Sequence, residues 1–172
     1  MAKKVDSYNH PVSNIRRMRR LTEREKETIR FVWKKVEDDY PTHGRNVFVK
    51  LFDDYPYFKK FFKSAIGNFD DPFMSPRFQK HMLQVLLPTF GGIMDNLDFP
   101  EAVNEAVKRL AVAHRRKEIG LAKEHIDILG QVILSIIKRD VLDCTEEQEE
   151  AMKKVLSIVV GMFCEALEGR TF

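Results

Sequence analysis

Long apolar runs and cysteine are both scarce in this chain of 172 residues. No run of about eighteen apolar residues is present and the first four residues include charge, so we expect neither a membrane span nor a secretory signal and predict a cytoplasmic protein. The two cysteines, Cys144 and Cys164, fall at the two ends of one predicted helix, too far apart for a disulfide. These features argue against a disulfide-stabilised secreted domain.

Signature motifs of common metal and nucleotide sites are also missing. The chain contains no CxxC, CxxCH or HExxH pattern, no GxGxxG and no Walker loop. No segment alternates apolar and polar residues as a half-buried strand would. Structural zinc, nucleotide binding and covalent haem attachment are therefore unsupported, and the predicted fold class is all-α.

Net positive charge is concentrated near the N-terminus. The net charge is +3, of which residues 1–20 contribute +5 (six Lys or Arg against Asp6), leaving −2 for the remainder. We predict a flexible, solvated basic extension at 1–20 and a single folded domain at 21–172. The sharper alternative for this arm is contact with an acidic protein or an anionic membrane; nucleic acid is not expected.

Helix boundary signals are frequent along the rest of the chain. Apolar residues between them recur at helical spacing, which favours a series of amphipathic helices. The signals are two capping boxes, Thr22 with Glu25 and Thr145 with Gln148; the N-cap Ser75 before Pro76; prolines at 41, 56 and 100; and glycines at 120 and 169.

Two histidines lie on the apolar stripes of different predicted helices. His81 and His114 both point inward, and an unpaired buried imidazole costs about 1–3 kcal/mol. Each alone could be a core histidine hydrogen-bonded to the protein, but the pair indicates a ligand or metal site. His43 and His125 lie on other helices, where we expect structural, hydrogen-bonded roles, and His10 is expected to be solvated.

Several of these residues fall at spacings that resemble the globin family, from about Leu21 to Gly169. The residues that carry this resemblance are Trp33, Gly44, Pro56 six residues before Phe62, His81 four before Val85, and Ala113 with His114. Within the family the chain is similar to neuroglobins and cytoglobins and to invertebrate, nematode-like neuronal globins. The resemblance implies about eight helices around a pocket for non-covalent haem b, with O2 or another diatomic gas as ligand.

The resemblance also implies roles for individual residues. His114 would be the proximal iron ligand, with its second ring nitrogen donating to a backbone carbonyl, and His81 the distal histidine. Phe48 would roof the distal pocket and Phe62 would pack on the porphyrin. The remaining pocket residues implied are Val85, Leu110, Ile126 and Leu129. Phe48, Phe62 and Val85 would equally suit a solid core.

The sequence departs from the family pattern beside the predicted proximal histidine. Many globins have a polar residue before that histidine and a second histidine four positions after it, whereas this chain has Ala113 and Glu118. Either Lys117 or Arg115 could then supply the positive charge at the haem edge.

His81 could act in two ways. If its imidazole stays off the iron, it donates to bound O2 and the protein stores or transports oxygen. If it binds iron, the metal is bis-histidyl, and redox or gas sensing or electron transfer to an unknown redox partner is the better description.

We favour the second hypothesis for three reasons. Phe48 offers no hydroxyl, Pro88 with Gly91 and Gly92 weakens the helix that carries His81, and neuroglobin-like chains often hold iron between two histidines. Slow nitric oxide dioxygenation or nitrite reduction, and a haem-free interaction module using the basic arm, are the remaining hypotheses.

Overall fold

The computed structural model describes residues 13–117, 119–141 and 145–169. Within these ranges all regular structure is helical, which confirms the all-α prediction. The α-helices are α1 (Asn14–Arg19), α2 (Glu23–Glu37), α3 (Tyr40–Asp54), α4 (Lys63–Ile66), α5 (Pro76–Gln84), α6 (Leu86–Asp95), α7 (Pro100–Arg116), α8 (Lys123–Asp140) and α9 (Glu146–Leu167). Two 3-10 helices, Pro56–Phe62 and Pro72–Met74, lie between α3 and α5.

The predicted helix starts are formed by local hydrogen bonds. The Thr22 side chain accepts from the Glu25 amide at 3.1 Å, and the Glu25 carboxylate accepts from the Thr22 amide at 2.8 Å, so the first capping box is complete. Thr145 accepts from the Gln148 amide, but the buried Gln148 Oε1 has no partner within the described residues. The second capping box is therefore only half formed.

Helix α9 is the centre of the core and packs against α1, α2, α7 and α8. Its buried side chains, among them Met152, Val155 and Ile158, occupy more than one face of the helix. Fully burying such a side chain contributes about 1.5–3 kcal/mol. The long apolar helix thereby holds the surrounding helices in place.

Helices α3 and α5 approach each other at Gly44. A Cβ atom added there would clash with the backbone carbonyl oxygen of Met82 on α5, so only glycine allows this separation. The close approach brings Phe48 of α3 beside His81 of α5. One side of the candidate site is built at this crossing.

Residues 14–19 differ from the solvated arm expected for residues 1–20. They form α1, whose Met18 side chain is fully buried, and Asn14 Nδ2 donates to Glu165 Oε1 on α9 at 2.6 Å. Burial of an apolar side chain favours docking over solvation. Ile15, Met18 and Leu21 all pack into the core at helical spacing, a signal that was missed. Residues 1–12, including His10, lie outside the described residues.

In the described part of the chain, no helix combines the length and the apolarity needed to cross a membrane. Cys164 is buried on α9 as a free thiol, and burial raises its pKa to about 11. Cys144 lies outside the described residues.

Candidate functional site

A cavity of about 200 Å³ is lined by residues of every α-helix from α3 to α9 and of the first 3-10 helix. All eight residues singled out in the sequence line it: Phe48, Phe62, His81, Val85, Leu110, His114, Ile126 and Leu129. Most of the other lining side chains are hydrocarbon or aromatic. The cavity therefore presents an apolar interior with a small number of polar groups.

His114 lies near the C-terminal end of α7. Its Nδ1 is 2.8 Å from the backbone oxygen of Leu110, one turn earlier. Because a carbonyl can only accept, Nδ1 carries the proton and donates it, which leaves the lone pair of Nε2 available to a ligand. The ring also packs edge-on against Phe163 of α9, with 5.5 Å between centroids. This is the backbone hydrogen bond that the resemblance implied.

His81 projects from α5 between two phenylalanines. Its ring centroid is 6.0 Å from that of Phe48 and 5.4 Å from that of Phe62. Burial lowers the pKa of His81 to about 4, with smaller lowering by the neighbouring His114 and Lys117. The imidazole is neutral near pH 7, the side chain is half-buried, and neither ring nitrogen makes a hydrogen bond to another described residue.

The distal wall consists of interlocking aromatic rings. Phe48, Phe62 and Phe78 contact one another edge to face, with centroid separations from 5.1 to 5.6 Å. Phe48 and Phe78 are fully buried. This cluster fixes the two rings that border His81.

The helix that carries His81 is interrupted one turn after it. Helix α5 ends at Gln84, Val85 departs from the usual helical φ with φ −115° and ψ −57°, and α6 begins at Leu86. Pro88 has no amide hydrogen to donate to the Gln84 carbonyl and crowds it, which is the cause of the break. The weak point that the sequence predicted from Pro88 therefore lies at Val85, the residue that follows the end of α5.

Comparison with known proteins identifies the architecture around this cavity. The family model for globins matches residues 45–163, which include both histidines and every cavity residue singled out above. The chain belongs to the globin family.

Among named relatives, the chain is similar to neuroglobin-1 of Oncorhynchus mykiss. The two are 27% identical over 123 residues, which span 70% of this chain and 76% of the relative. Membership of the globin family implies a haem cofactor and binding of diatomic gases such as O2.

The cavity of this globin suits a haem group. Imidazoles on two walls each have a nitrogen without a protein partner, and the hydrocarbon lining suits a porphyrin face. His114 and His81 are the residues that would hold the iron.

One cation of this globin lies at the cavity edge. Lys117 lines the cavity, whereas Arg115 donates to the backbone oxygen of Ala166 at 3.3 Å. Of the two candidate cations, Lys117 is therefore the one that borders the cavity. Glu118 lies outside the described residues.

The other two described histidines differ from each other. His125 Nδ1 accepts from the Ala122 amide at 2.9 Å, as expected for a structural histidine, although its ring also lines the cavity against Phe61. His43 Nδ1 is buried and lies 3.9 Å from Asp140 Oδ2, beyond hydrogen-bond distance. The expected hydrogen bond is thus seen for His125 but not at His43 Nδ1.

Further cavity residues were missed by sequence reasoning. Phe163 and Val160 of α9, Phe61 and Val107 also line the cavity. Phe163 extends the apolar stripe of α9 that runs through Val155 and Val159, so its burial could have been predicted from the periodicity. Its contact with His114 depends on the packing of α9 against α7 and has no local sequence signal.

Proposed function

We propose that this globin binds haem b non-covalently, with His114 as proximal ligand and His81 as sixth ligand, and that it serves in electron transfer or in redox or gas sensing. Haem supplies an iron that changes oxidation state by one electron. The observation that carries the proposal is that His81 and His114 line one apolar cavity, each with a ring nitrogen that makes no hydrogen bond to a described residue. Such a nitrogen is free to bind iron.

The proximal side supports the same assignment. The hydrogen bond from His114 Nδ1 to the Leu110 carbonyl orients the ring and raises the basicity of Nε2, as second-sphere partners of metal-bound histidines do. Leu110, Ile126 and Leu129 supply apolar walls on this side. Phe48, Phe62 and Val85 do so on the distal side.

A redox or sensing role follows from internal competition for the iron. If His81 occupies the sixth position, an external gas binds only to the fraction of molecules in which His81 has left, so its apparent affinity falls by that fraction. Phe48 offers no hydroxyl that could favour a bound gas over His81. Reversible O2 storage is the alternative function, and it requires His81 to stay off the iron.

The visible spectrum of the haem-loaded ferrous protein distinguishes these functions. We expect sharp, split visible bands without added ligand, as two nitrogen ligands produce low-spin iron, and a single broad band in His81→Ala. His43→Ala removes another buried histidine that does not line the cavity and should retain the split bands.

Two results would contradict the proposal. A broad ferrous band in the unaltered protein would assign oxygen storage instead. If the chain failed to take up haemin, and His114→Ala did not alter that result, the haem site would be excluded altogether.

A further inference from the structure

The surface of residues 55–90 carries cations that lack ion-pair partners. Every ion pair in the described part of the chain involves residues outside this segment. The segment contains only two carboxylates, Asp70 and Asp71. Its five cations, all exposed, are Lys59, Lys60, Lys63, Arg77 and Lys80. Within the described residues, no ion pair compensates the positive charge of this segment.

These cations are carried by elements that also line the cavity. Helix α4 packs on both α5 and the first 3-10 helix, so the three elements form one surface. Phe61, Ser64 and His81 from these elements line the cavity, and Lys60 Nζ lies 4.8 Å from the Phe61 ring. Lys117 joins them from the end of α7. We name these six side chains the basic rim: Lys59, Lys60, Lys63, Arg77, Lys80 and Lys117.

Exposed apolar side chains are concentrated in the same segment. Of six large hydrophobic side chains exposed in the described residues, four belong to it: Tyr57, Phe69, Met74 and Val85, of which Val85 also borders the cavity. Met74 is 63% exposed. Apolar contacts beside a charged border are typical of protein interfaces, including small transient ones.

We propose that the basic rim and these apolar side chains form the docking surface for an acidic redox protein. The inference rests on the proposed electron-transfer function and identifies the partner by its negative surface charge. The partner would lose one electron, and ferric iron held between the histidines would gain it and become ferrous; no bond forms and no proton moves. The two carboxylates of haem b can neutralise at most two of the six cations, so a positive surface remains to steer an acidic protein.

The shape of this surface favours a protein over a lipid bilayer. A membrane-surface helix presents one continuous apolar face along its length. Here the cations come from a 3-10 helix, a four-residue helix, a nine-residue helix and the end of α7, four elements that also contribute residues to the cavity. A partner bound there would approach the cofactor closely, as electron transfer requires.

A charge-reversal experiment tests the docking surface. Ferric, haem-loaded full-length protein is mixed in stopped flow with a reduced, small acidic [2Fe–2S] ferredoxin at low ionic strength. The test variant is Lys60→Glu/Lys63→Glu/Lys80→Glu. The matched control, Arg16→Glu/Arg20→Glu/Arg109→Glu, changes the net charge equally at exposed cations that neither pair with carboxylates nor line the cavity.

We expect the bimolecular reduction rate to fall by about tenfold or more in the test variant and less than about threefold in the control. Added salt should slow the reaction of the unaltered protein. Reduction by neutral, reduced riboflavin should be the same in all three proteins. Equal losses in both variants would overturn the proposal, because net charge would then explain them.

Calorimetry separates this inference from the proposed function. Binding of oxidised ferredoxin to the unaltered protein, lost in the test variant, supports the docking surface whatever the axial ligands prove to be. Absence of binding at low salt would overturn it. Loss of binding to phosphatidylserine vesicles in the test variant, with an unchanged ferredoxin rate, would also overturn it and assign the surface to lipid.

Discussion

At the scale of single residues, Gly44 decides how closely α3 approaches the helix that carries His81. We predict that Gly44→Ala lowers the free energy of unfolding by about 1–3 kcal/mol, because the added methyl group meets a backbone carbonyl that cannot rotate away. Displacement of α5 should also weaken haem retention. Urea denaturation and the rate of haemin transfer to an acceptor protein measure the two effects.

Gly92 on α6 is the matched control for this substitution. It is also helical, but a Cβ there meets nothing within 4 Å. Gly92→Ala should therefore stabilise the protein by about 0.5–1 kcal/mol through helix propensity. Equal effects of the two substitutions would show that the α3–α5 contact is not tight.

Glu25 links α2 to α9 and makes stability dependent on pH. Its hydrogen bond and ion pair with Lys154, at 2.5 Å, and its cap to Thr22 lower the pKa of Glu25 below its ordinary value of 4.5. A carboxyl group whose pKa is lowered by folding stabilises the protein above its ordinary pKa. That stabilisation is lost as the pH falls through the folded value.

We predict that Glu25→Gln costs about 0.5–1 kcal/mol of unfolding free energy near neutral pH. The difference from the unaltered protein should shrink toward zero as the pH falls below the folded pKa of Glu25, where both side chains are uncharged. Glu27→Gln, at an exposed carboxylate of α2 that makes no ion pair with a described residue, should have little effect across the same pH range. Urea unfolding of the haem-free chain by circular dichroism gives these values; a difference that does not change with pH would contradict the assignment.

At the scale of helices, boundaries were predictable wherever the signal is local. Thr22, Ser75 and Pro100 act within one turn of the helix they start, and each stands where the sequence placed it. Helix α1 was not predicted, although Ile15, Met18 and Leu21 recur at helical spacing. That α9, more than a hundred residues away, would pack against it has no local signal. The incomplete capping box at Thr145 likewise depends on where the Gln148 side chain is buried.

The break between α5 and α6 leads to a prediction about iron coordination. Pro88→Ala restores an amide donor opposite the Gln84 carbonyl and removes the steric clash, so α5 should continue into α6. A stiffer helix should restrict movement of His81 toward iron and lower the bis-histidyl fraction, which the split ferrous bands measure.

Pro76→Ala is the control for the helix break. Pro76 lies in the first turn of α5, where a missing amide donor costs nothing, so the spectrum should not change. If Pro88→Ala also leaves the spectrum unchanged, the break does not control the position of His81.

At the scale of the whole molecule, the cavity residues were predictable because each is apolar or histidine at a position with helical periodicity. Their convergence from separate helices onto one cavity was implied only by the family resemblance. The sequence did not predict that Lys117, and not Arg115, lies at the cavity edge. Both residues follow His114 closely, and which of them borders the cavity depends on how the end of α7 packs against α9. Long-range packing decides such details.

The cavity walls come from helices across the chain, so filling it should stabilise the entire fold. A ligand that binds only the folded state raises stability in proportion to the logarithm of its concentration over its Kd. We predict that the melting temperature rises from the haem-free chain to the complex with iron-free protoporphyrin IX, and again to the haem complex. The first step measures apolar contact and the second measures the axial bonds.

His114→Ala separates these two contributions. It should leave the protoporphyrin step nearly unchanged, because that ligand has no iron to coordinate, and should remove most of the second step. Val36→Ala serves as a control, since Val36 is buried in the core but does not line the haem cavity. This substitution should lower all three melting temperatures together. If His114→Ala instead lowered all three equally, His114 would be a core residue and the iron would have to be held elsewhere.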